Sequence, residues 1–494
     1  MEVPVLLRKL ISQFDSTLDL AGVPDLEILG IKDDSRQVHK GDLFIARPGR
    51  NTDGWQFITD AAAKGAVAVV TETSIDTSPL PQILVKDAAA ASSILANIYF
   101  GDPSKKLKVL GVTGTNGKTT TTYLIRHLLQ KNKQRCGMIG TVETDDGASK
   151  RESEMTTPGA VHVAELLSAM RNNSCRACAI ETSSHALHQQ RVIGVKFAAA
   201  GFTNLTGDHL DYHKEMSAYA DAKAKLFEGL AEDAVAVVNA DDAGSARMKR
   251  DCQARIVTFG IKNHADYRAQ DIAITSSGTK FILVTPDGRA EVSMILIGRH
   301  NIENALCAAA MVGEAFGLTV HQIAAGLRDA QGAPGRLQAV RIGQPFAVLV
   351  DYAHTDDAMA NVLSALRPLT RGSLRILFGC GGDRDRTKRP RMARTAITQA
   401  DAVYITSDNP RTENPSAIID EIVAGIPQNN RKPVIVEPDR HKAIERILSD
   451  AQPNDVILLA GKGHENYQII GKTKNHFDDV EEATRAIKAR LALV

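Results

Sequence analysis

The sequence predicts an α/β protein of three domains built on parallel sheets, and three observations carry that reading. Its 494 residues suffice for roughly three domains, each burying its own core. Short apolar runs alternate with amphipathic helical stretches almost throughout, the pattern of strands covered by helices. A glycine-rich loop, GVTGTNGKTTTT at 111–122, falls between one such strand and one such helix, where backbone N–H groups can wrap a phosphate.

Lysine and arginine number 59 against 58 acidic residues. With no global basic field there is no expectation of nucleic acid or an anionic membrane as partner, and the substrates should be small. The opening stretch MEVPVLLRKLISQF has one short apolar run and no small-residue cleavage site. Nowhere do about 18 uncharged apolar residues run together, so a cytoplasmic protein without membrane insertion is expected. Of six cysteines, only Cys175 and Cys178 are close, without a second CxxC to complete a zinc site, and reduced, partly buried thiols are expected.

Two joints divide the chain. In FGDPSKKLKVLGVTG a polar, proline-containing stretch precedes a fresh strand at Val109 to Val112. In DAQGAPGRLQAV, Gly332, Pro334 and Gly335 interrupt a helix before another strand. The expected domains are therefore 1–105, 106–336 and 337–494.

In the middle segment KVLGVTG reads as a strand and TTTTYLIRHLLQ as the helix that opens on the phosphates. The loop departs from G-x-x-x-x-G-K-[ST] by one place, because the glycines before Gly117 are Gly114 and Gly111. Gly114, Thr115, Asn116, Gly117 and Thr120 would shape the cradle, Lys118 would neutralise β and γ phosphates, and Thr119 would reach Mg²⁺. A plain strand-to-helix turn would need neither the lysine nor the hydroxyls. Glu181 ends the apolar run of ACAIETSSHAL, where an α/β nucleotide site keeps a metal ligand or base and where an acid can equally cap a helix. Asp208, His209, Asp211 and His213 follow within six residues and could complete a Mg²⁺ shell, although each alone suits a structural role. For Lys223 and Lys225, sequence chemistry gives no reason to single out either. Asn301 and Asn304 open a small-residue helix and suit either an adenine edge or a cap. Arg336, at the second joint, suits a phosphate clamp or a solvated linker equally.

The last segment carries five apolar runs ending in polar or glycine residues: FAVLVDYAH, LRILFGCGG, DAVYITSDN, KPVIVE and DVILLAGKG. That spacing suits a parallel sheet with ligand loops at the strand C-terminal ends. Arg384, Arg386, Lys388, Arg389 and Arg391 form a local basic cluster fit for a carboxylate or phosphate. Asp408-Asn409-Pro410-Arg411 is a turn at least, and one that could hold its arginine rigidly for a bidentate carboxylate.

TGTNGKTTT, ETSSHAL, TNLTGDHLDYH, GRHNIENALCAA, DYAHT, FGCGGDRDRTKRP, DNPR and GKGHE occur in that order, with DSRQVHKGDLFIARPG near the start. Over essentially its whole length the sequence resembles the Mur ligases, most closely the branch that adds the third peptide residue to the UDP-N-acetylmuramoyl peptide of peptidoglycan. The resemblance implies a UDP-binding N-terminal domain, a central P-loop ATPase domain and a C-terminal Rossmann-like domain that brings the amino acid. It also implies the reaction: ATP phosphorylates the D-glutamate carboxylate of UDP-MurNAc-L-Ala-D-Glu, and an amine displaces phosphate from the acyl phosphate. ATP is then a co-substrate, two Mg²⁺ ions are the expected cofactors, and a monomer is the expected state.

Carried over by resemblance, Lys118 and Thr119 are the phosphate and Mg²⁺ groups, and Glu181 and His209 are second-metal ligands. Lys223 matches the family lysine that is carbamylated to N6-carboxylysine beside that metal. Asn301, Arg336, Asp351 and His354 match ATP contacts. Ser35, Thr156, Thr157, Ser183, Gln189 and Arg191 match contacts to the UDP-sugar peptide. Arg389, Asp408, Asn409, Pro410, Arg411, Gly461 and Glu465 match the amino-acid site. Relatives that add meso-diaminopimelate use the DNPR arginine for the distal carboxylate, and lysine-adding relatives lack it. Binding lysine would leave Arg411 unpaired, a penalty of roughly 2–4 kcal/mol, so diaminopimelate is the expected substrate. Asp356 stands where the family usually has proline and Gln338 where glutamate is common, which bears on loop geometry beside the ATP site. Three rivals remain: the same ligation with L-lysine, a folylpolyglutamate-synthetase-like ligase, which DNPR and GKGHE speak against, and a non-catalytic ATP-binding regulator. The last predicts a lost metal ligand or loop lysine, and none is lost.

Overall fold

The computed structural model describes residues 4–20, 22–49, 53–275 and 278–492. Its contacts separate two compact units. One comprises Met1–Arg268, Val284–Arg289 and Glu303–Gly326, and the other Ala269–Leu283, Ala290–Ile302 and Leu327–Val494. The architecture is mixed α/β with large parallel sheets, as the alternation of apolar runs and amphipathic stretches predicts.

The first unit opens on a parallel four-stranded sheet that follows chain order: Gly30–Lys32, Asp42–Ile45, Ala68–Thr71 and Gln82–Leu84. Helices Leu7–Phe14 and Ala88–Tyr99 bury Leu10, Leu95 and Ala96 against Ile45 and Val70. Eight strands of a larger sheet follow in the order Lys150–Glu152, Glu143–Asp145, Cys136–Ile139, Ala177–Glu181, Lys108–Thr113, Phe197–Phe202, Val235–Asn239 and Arg255–Gly260. Among these eight the first two pairings are antiparallel and the others parallel. Lys108–Thr113 is buried on both faces beyond its first residue, which is why it reads as a continuous apolar run rather than an alternating one. The register sets Val112 beside Glu181 and Thr113 beside Phe202. The loops after these three strands therefore leave one edge of the sheet together, the C-terminal edge where α/β sheets keep their ligands.

In the second unit all five predicted runs are strands. The sheet order is Gln338–Val340, Ala347–Asp351, Val456–Ala460, Leu374–Phe378, Ala402–Ile405 and Val434–Val436. Only Gln338–Val340 pairs antiparallel, so the last run of the chain inserts between the first and second. Leu349, Ile376, Phe378 and Leu458 pack on one face with Met392 and Leu363, and Val350, Leu377 and Leu459 on the other with Ile444 and Ile487. A hairpin, Tyr467–Ile470 with Thr473–His476, follows the last central strand.

A buried ion pair fixes the end of that strand. Arg440 and Asp479 are both fully buried. Nε donates to Oδ1 at 2.8 Å, while Nη2 donates to Oδ2 at 2.6 Å and to the Ala460 carbonyl at 3.1 Å. Removing one partner strands the other charge in a dry interior, a loss of about 3–5 kcal/mol. Asp479→Ala is thus expected to lower the melting temperature and to speed hydrogen exchange in Val456–Ala460 first. Unchanged exchange there would refute this role of the pair. All six cysteines are free thiols. Among the described residues no helix is long and apolar enough to cross a membrane.

Candidate active site

In the first unit the loop 114–117 turns from the buried strand into helix Lys118–Lys131. Gly117 caps that helix at φ 87°, and a Cβ there would lie 2.2 Å from Asn304 Oδ1. Both the backbone conformation and the space thus require glycine. The neighbouring TNLT loop holds the cradle. Asn116 N donates to Asn204 Oδ1 at 2.9 Å, Asn204 Nδ2 returns to Asn116 O at 3.2 Å, and Thr203 Oγ1 donates to Asn116 O at 2.6 Å. Thr115 Oγ1 exchanges hydrogen bonds with the backbone of Thr206 and receives Tyr219 OH at 3.3 Å. Lys118 Nζ donates to the loop carbonyls of Gly114 and Thr115 at 2.9 and 2.8 Å. Thr120 is buried in the first helical turn.

Glu181 meets the loop from the adjacent strand. It is fully buried; its Oε2 accepts from Thr119 Oγ1 at 2.9 Å and Thr141 Oγ1 at 3.0 Å, and its Oε1 from Thr141 N at 2.8 Å. Adjacent carboxylate and hydroxyl oxygens are the donor types that a hard dication takes. Lys223, on helix Met216–Glu228, is 1% exposed. Its Nζ donates to Gly114 O at 2.8 Å and lies 4.1 Å from the Tyr219 ring centroid. Burial, with the charge of Lys118 adding to it, drives its ammonium well below its ordinary value.

His209 adopts a left-handed backbone, φ 54°. Its ring lies 4.9 Å from that of His185 and 6.2 Å from that of Tyr219, and its Nε2 is 3.5 Å from Asp208 Oδ2. His213 bonds Ser184 Oγ at 3.0 Å, and burial, with His185 nearby, pulls it down to about 4. The Asp211 side chain lies outside the described residues. Among those described, no group of three or more His, Cys, Asp or Glu could hold a metal ion.

A cleft of about 1630 Å³ in this unit is lined by Ser35, Arg47, Arg151, Met155, Gln189 and Tyr212 among others. Behind it the residues expected to hold the sugar peptide, all but Ser35, join one hydrogen-bond network. Arg191 donates to Thr157 O at 2.6 Å and Gln189 Oε1 at 2.7 Å. Thr157 Oγ1 donates to Glu181 O at 2.7 Å and accepts from Ser183 N at 3.1 Å, and Thr156 Oγ1 lies 3.0 Å from Thr141 Oγ1. The wall of the cleft and the carboxylate at the phosphate loop are thereby linked through a few hydrogen bonds.

In the second unit Asp351 accepts Leu337 N and Ala353 N, both at 2.8 Å. Burial raises its carboxyl against the pull of Arg336. Arg336 lies over Tyr352, 5.1 Å from the ring centroid, and His354 Nδ1 is 2.9 Å from Tyr352 O. Asn301 Nδ2 donates to Ile297 O at 2.8 Å. Gly335, at φ 63°, lets the joint approach the GKGHE loop so closely that a Cβ would sit 2.1 Å from the Gly463 carbonyl carbon.

The DNPR turn lies beside that loop. Asn409 Nδ2 donates to Glu465 Oε2 at 2.8 Å, and a Cβ on Gly461 would lie 2.8 Å from Asp408 Oδ2. Burial, and then the charge of Asp408, raise the Glu465 carboxyl. Arg411, after Pro410, has φ 51° and donates from Nη1 to Gly382 O at 2.9 Å. Arg389 is fully buried, with both Nη groups held by Glu413 and one of them also by Glu421 at 2.8 Å.

Three family models match the chain: the Mur ligase family catalytic domain over 27–108, the Mur ligase middle domain over 112–312, and the Mur ligase glutamate ligase domain over 335–463. A protein of Gloeobacter violaceus named UDP-N-acetylmuramoyl-L-alanyl-D-glutamate–2,6-diaminopimelate ligase is 45% identical over 96% of each chain. One of Bacillus cereus with the same name is 43% identical over 94% of this chain and 95% of its own. The chain belongs to the Mur ligase family. A solved structure of a ligase of that same name superposes with a TM-score of 0.75 at 34% identity, covering 99% of this chain and 100% of that one.

The two places where this Mur ligase departs from the usual residues are both accommodated locally. Gln338 Oε1 accepts Gly335 N at 2.8 Å. Asp356 begins helix Asp356–Leu366, where an acid suits the helix dipole, and lies 3.4 Å from Arg391. Sequence reasoning passed over Thr141, Asn204 and Tyr219, which hold the loop and Glu181, and Lys462, fully buried in GKGHE. A buried lysine flanked by glycines has no periodicity that would mark it.

Proposed function

We propose that this Mur ligase adds meso-2,6-diaminopimelate to the D-glutamate of UDP-MurNAc-L-Ala-D-Glu at the expense of ATP, a step in building peptidoglycan precursors. Segments near 1–105, 106–336 and 337–494 serve the UDP-sugar peptide, ATP and the amino acid respectively. A carboxylate oxygen of D-glutamate attacks the γ phosphorus, the β–γ bridging bond breaks, and ADP leaves. The amine of diaminopimelate then attacks the acyl carbon, phosphate departs and the amine proton is lost. No protein nucleophile is needed, so the chain's work is positioning and charge compensation.

Lys118 and the N-terminus of helix Lys118–Lys131 compensate charge on the β and γ phosphates. Thr119, Glu181, His209 and a carbamylated Lys223 are the residues to hold two Mg²⁺ ions. Bound there, Mg²⁺ supplies compensation for charge developing on the transferred phosphoryl oxygens. The burial of Lys223 supports its modification, since a neutral amine attacks CO₂ and the carbamate forms with release of one proton. Asp351, His354, Arg336 and Asn301 serve ATP. Ser35, Thr156, Thr157, Ser183, Gln189 and Arg191 serve the sugar peptide. Arg389, held by two glutamates, acts by fixing the loop that faces the amino acid. The chain acts as a monomer in the cytoplasm.

The choice of amino acid rests on one observation. Arg411 has only the neutral Gly382 carbonyl as a partner for its guanidinium among the described residues, which suits it to a second carboxylate. Phosphate release with Mg²⁺, ATP and UDP-MurNAc-L-Ala-D-Glu tests the reading. Release is expected with meso-diaminopimelate and not with L-lysine. Release with lysine alone would overturn the specificity, and release with neither would overturn the ligase reading.

A further inference from the structure

We propose that Lys462 and the hairpin Tyr467–His476 form the positioning device of the amino-acid site, a proposal that rests on the function given above. Lys462 is fully buried, and its ammonium is turned to protein partners. Its ammonium lies 3.5 Å from Asn409 Oδ1 and 3.5 Å from Glu465 Oε2, and it donates to the Tyr467 carbonyl. Asn409 and Glu465 are also joined to each other at 2.8 Å. One buried cation thus sits among two of the polar side chains assigned to the amino acid and the first residue of the hairpin.

The hairpin then grips the DNPR turn along its length. Gln468 Nε2 donates to Asp408 O at 2.7 Å, and Ile469 N donates to Asn409 Oδ1 at 2.9 Å. Arg411 N donates to Ile469 O at 3.1 Å, and Gly471 N to Arg411 O at 2.8 Å. These bonds add residue 411 to the hairpin edge as a further bridge and hold it at φ 51°, a conformation that a β-carbon disfavours. The direction of the Arg411 side chain follows from that backbone. Burying an ammonium is unfavourable unless it is well partnered, and here its partners are the recognition residues themselves. The proposal makes Lys462 a positioning residue for specificity and the hairpin the template on which the turn is shaped.

Steady-state kinetics of the full-length enzyme test this with Lys462→Met, which keeps the length of the side chain, and Gln468→Ala, which removes only the tie to Asp408 O. Lys462→Met is expected to raise KM for meso-diaminopimelate at least tenfold and Gln468→Ala at least threefold. In both, KM for ATP and for UDP-MurNAc-L-Ala-D-Glu should stay within twofold. A merely structural role would shift all three constants and kcat together with the melting temperature, and that pattern would overturn the proposal. Unchanged KM for diaminopimelate in both variants would also overturn it. Should Lys462→Met fail to fold, Gln468→Ala decides alone. If the unmodified enzyme uses diaminopimelate and the variants show no selective shift, only this inference falls. If the unmodified enzyme does not use it, the functional reading falls.

Discussion

Lys223→Ala is expected to cut turnover at least about a hundredfold, the scale of losing a preorganised electrostatic group at a phosphoryl-transfer centre. The lysine lies 2.8 Å from Gly114 O, and both burial and Lys118 push it toward the neutral amine. An amine in that state is competent to take up CO₂, and the resulting anion would offset the charge of Lys118. If the carbamate is the missing group, short carboxylates such as formate or acetate should restore part of the rate in Lys223→Ala by occupying the space. Lys223→Met, which fills it, should not respond. Full activity of Lys223→Ala without additive would remove the carbamate from the reaction, as would a mass spectrum and activity of the unmodified enzyme both indifferent to CO₂ depletion.

The second large effect belongs to Arg411. Truncating one partner of a charge-assisted pair loses about 2–4 kcal/mol, which is roughly a 30- to 1,000-fold loss in kcat/KM for diaminopimelate. Arg411→Ala should therefore weaken diaminopimelate use by that factor while KM for ATP changes less than twofold. Arg411→Lys should recover only a small part, because an ammonium lacks the planar fork that receives two carboxylate oxygens. Both substitutions leave the bonds from Ile469 O and Gly471 N to the backbone of residue 411 in place, so a loss reports on the guanidinium. Wild-type kinetics for diaminopimelate in both variants would refute the role.

The five C-terminal strands and the phosphate-loop strand were legible because each is a run of apolar residues punctuated by glycine or polar residues, and such runs are set by local burial. Their order was not legible. Nothing within DVILLAGKG says that it inserts between the first two strands, since that choice is made by packing of residues far apart in the chain. The strands Tyr267–Thr275, Gly278–Thr285 and Gly288–Met294 escaped notice too. They carry no motif, and Tyr267–Thr275 and Gly288–Met294 expose several polar residues, although Gly278–Thr285 is largely buried or half-buried. For the site, Lys118, Thr119 and Glu181 could be placed from strand ends and glycine spacing. Lys223 could not, since its helix is amphipathic in the ordinary way and only the tertiary fold brings it to Gly114. Arg389 shows a partner that the sequence does not display. An arginine in a basic cluster invites a ligand, yet here Glu413 and Glu421 meet it first.

The clasp between Asn116 and Asn204 has a consequence for how such a sequence can change over time. The side-chain amide of Asn204 faces the backbone of residue 116 across 88 residues of chain, its Oδ1 accepting from the N–H and its Nδ2 donating to the carbonyl. Substituting Asn204 leaves the N–H of residue 116 without its mate, whereas residue 116 keeps both bonds through its backbone whatever side chain it carries, proline excepted. Inserting a residue in either stretch would carry the backbone of residue 116 away from Asn204 and lose both bonds, so indels should be purged from both stretches alike. In lineages that descend from this protein, Asn204 is therefore expected to persist and residues 114–117 and 203–206 to keep their lengths together, while the side chain at 116 is freer to vary as far as this clasp is concerned.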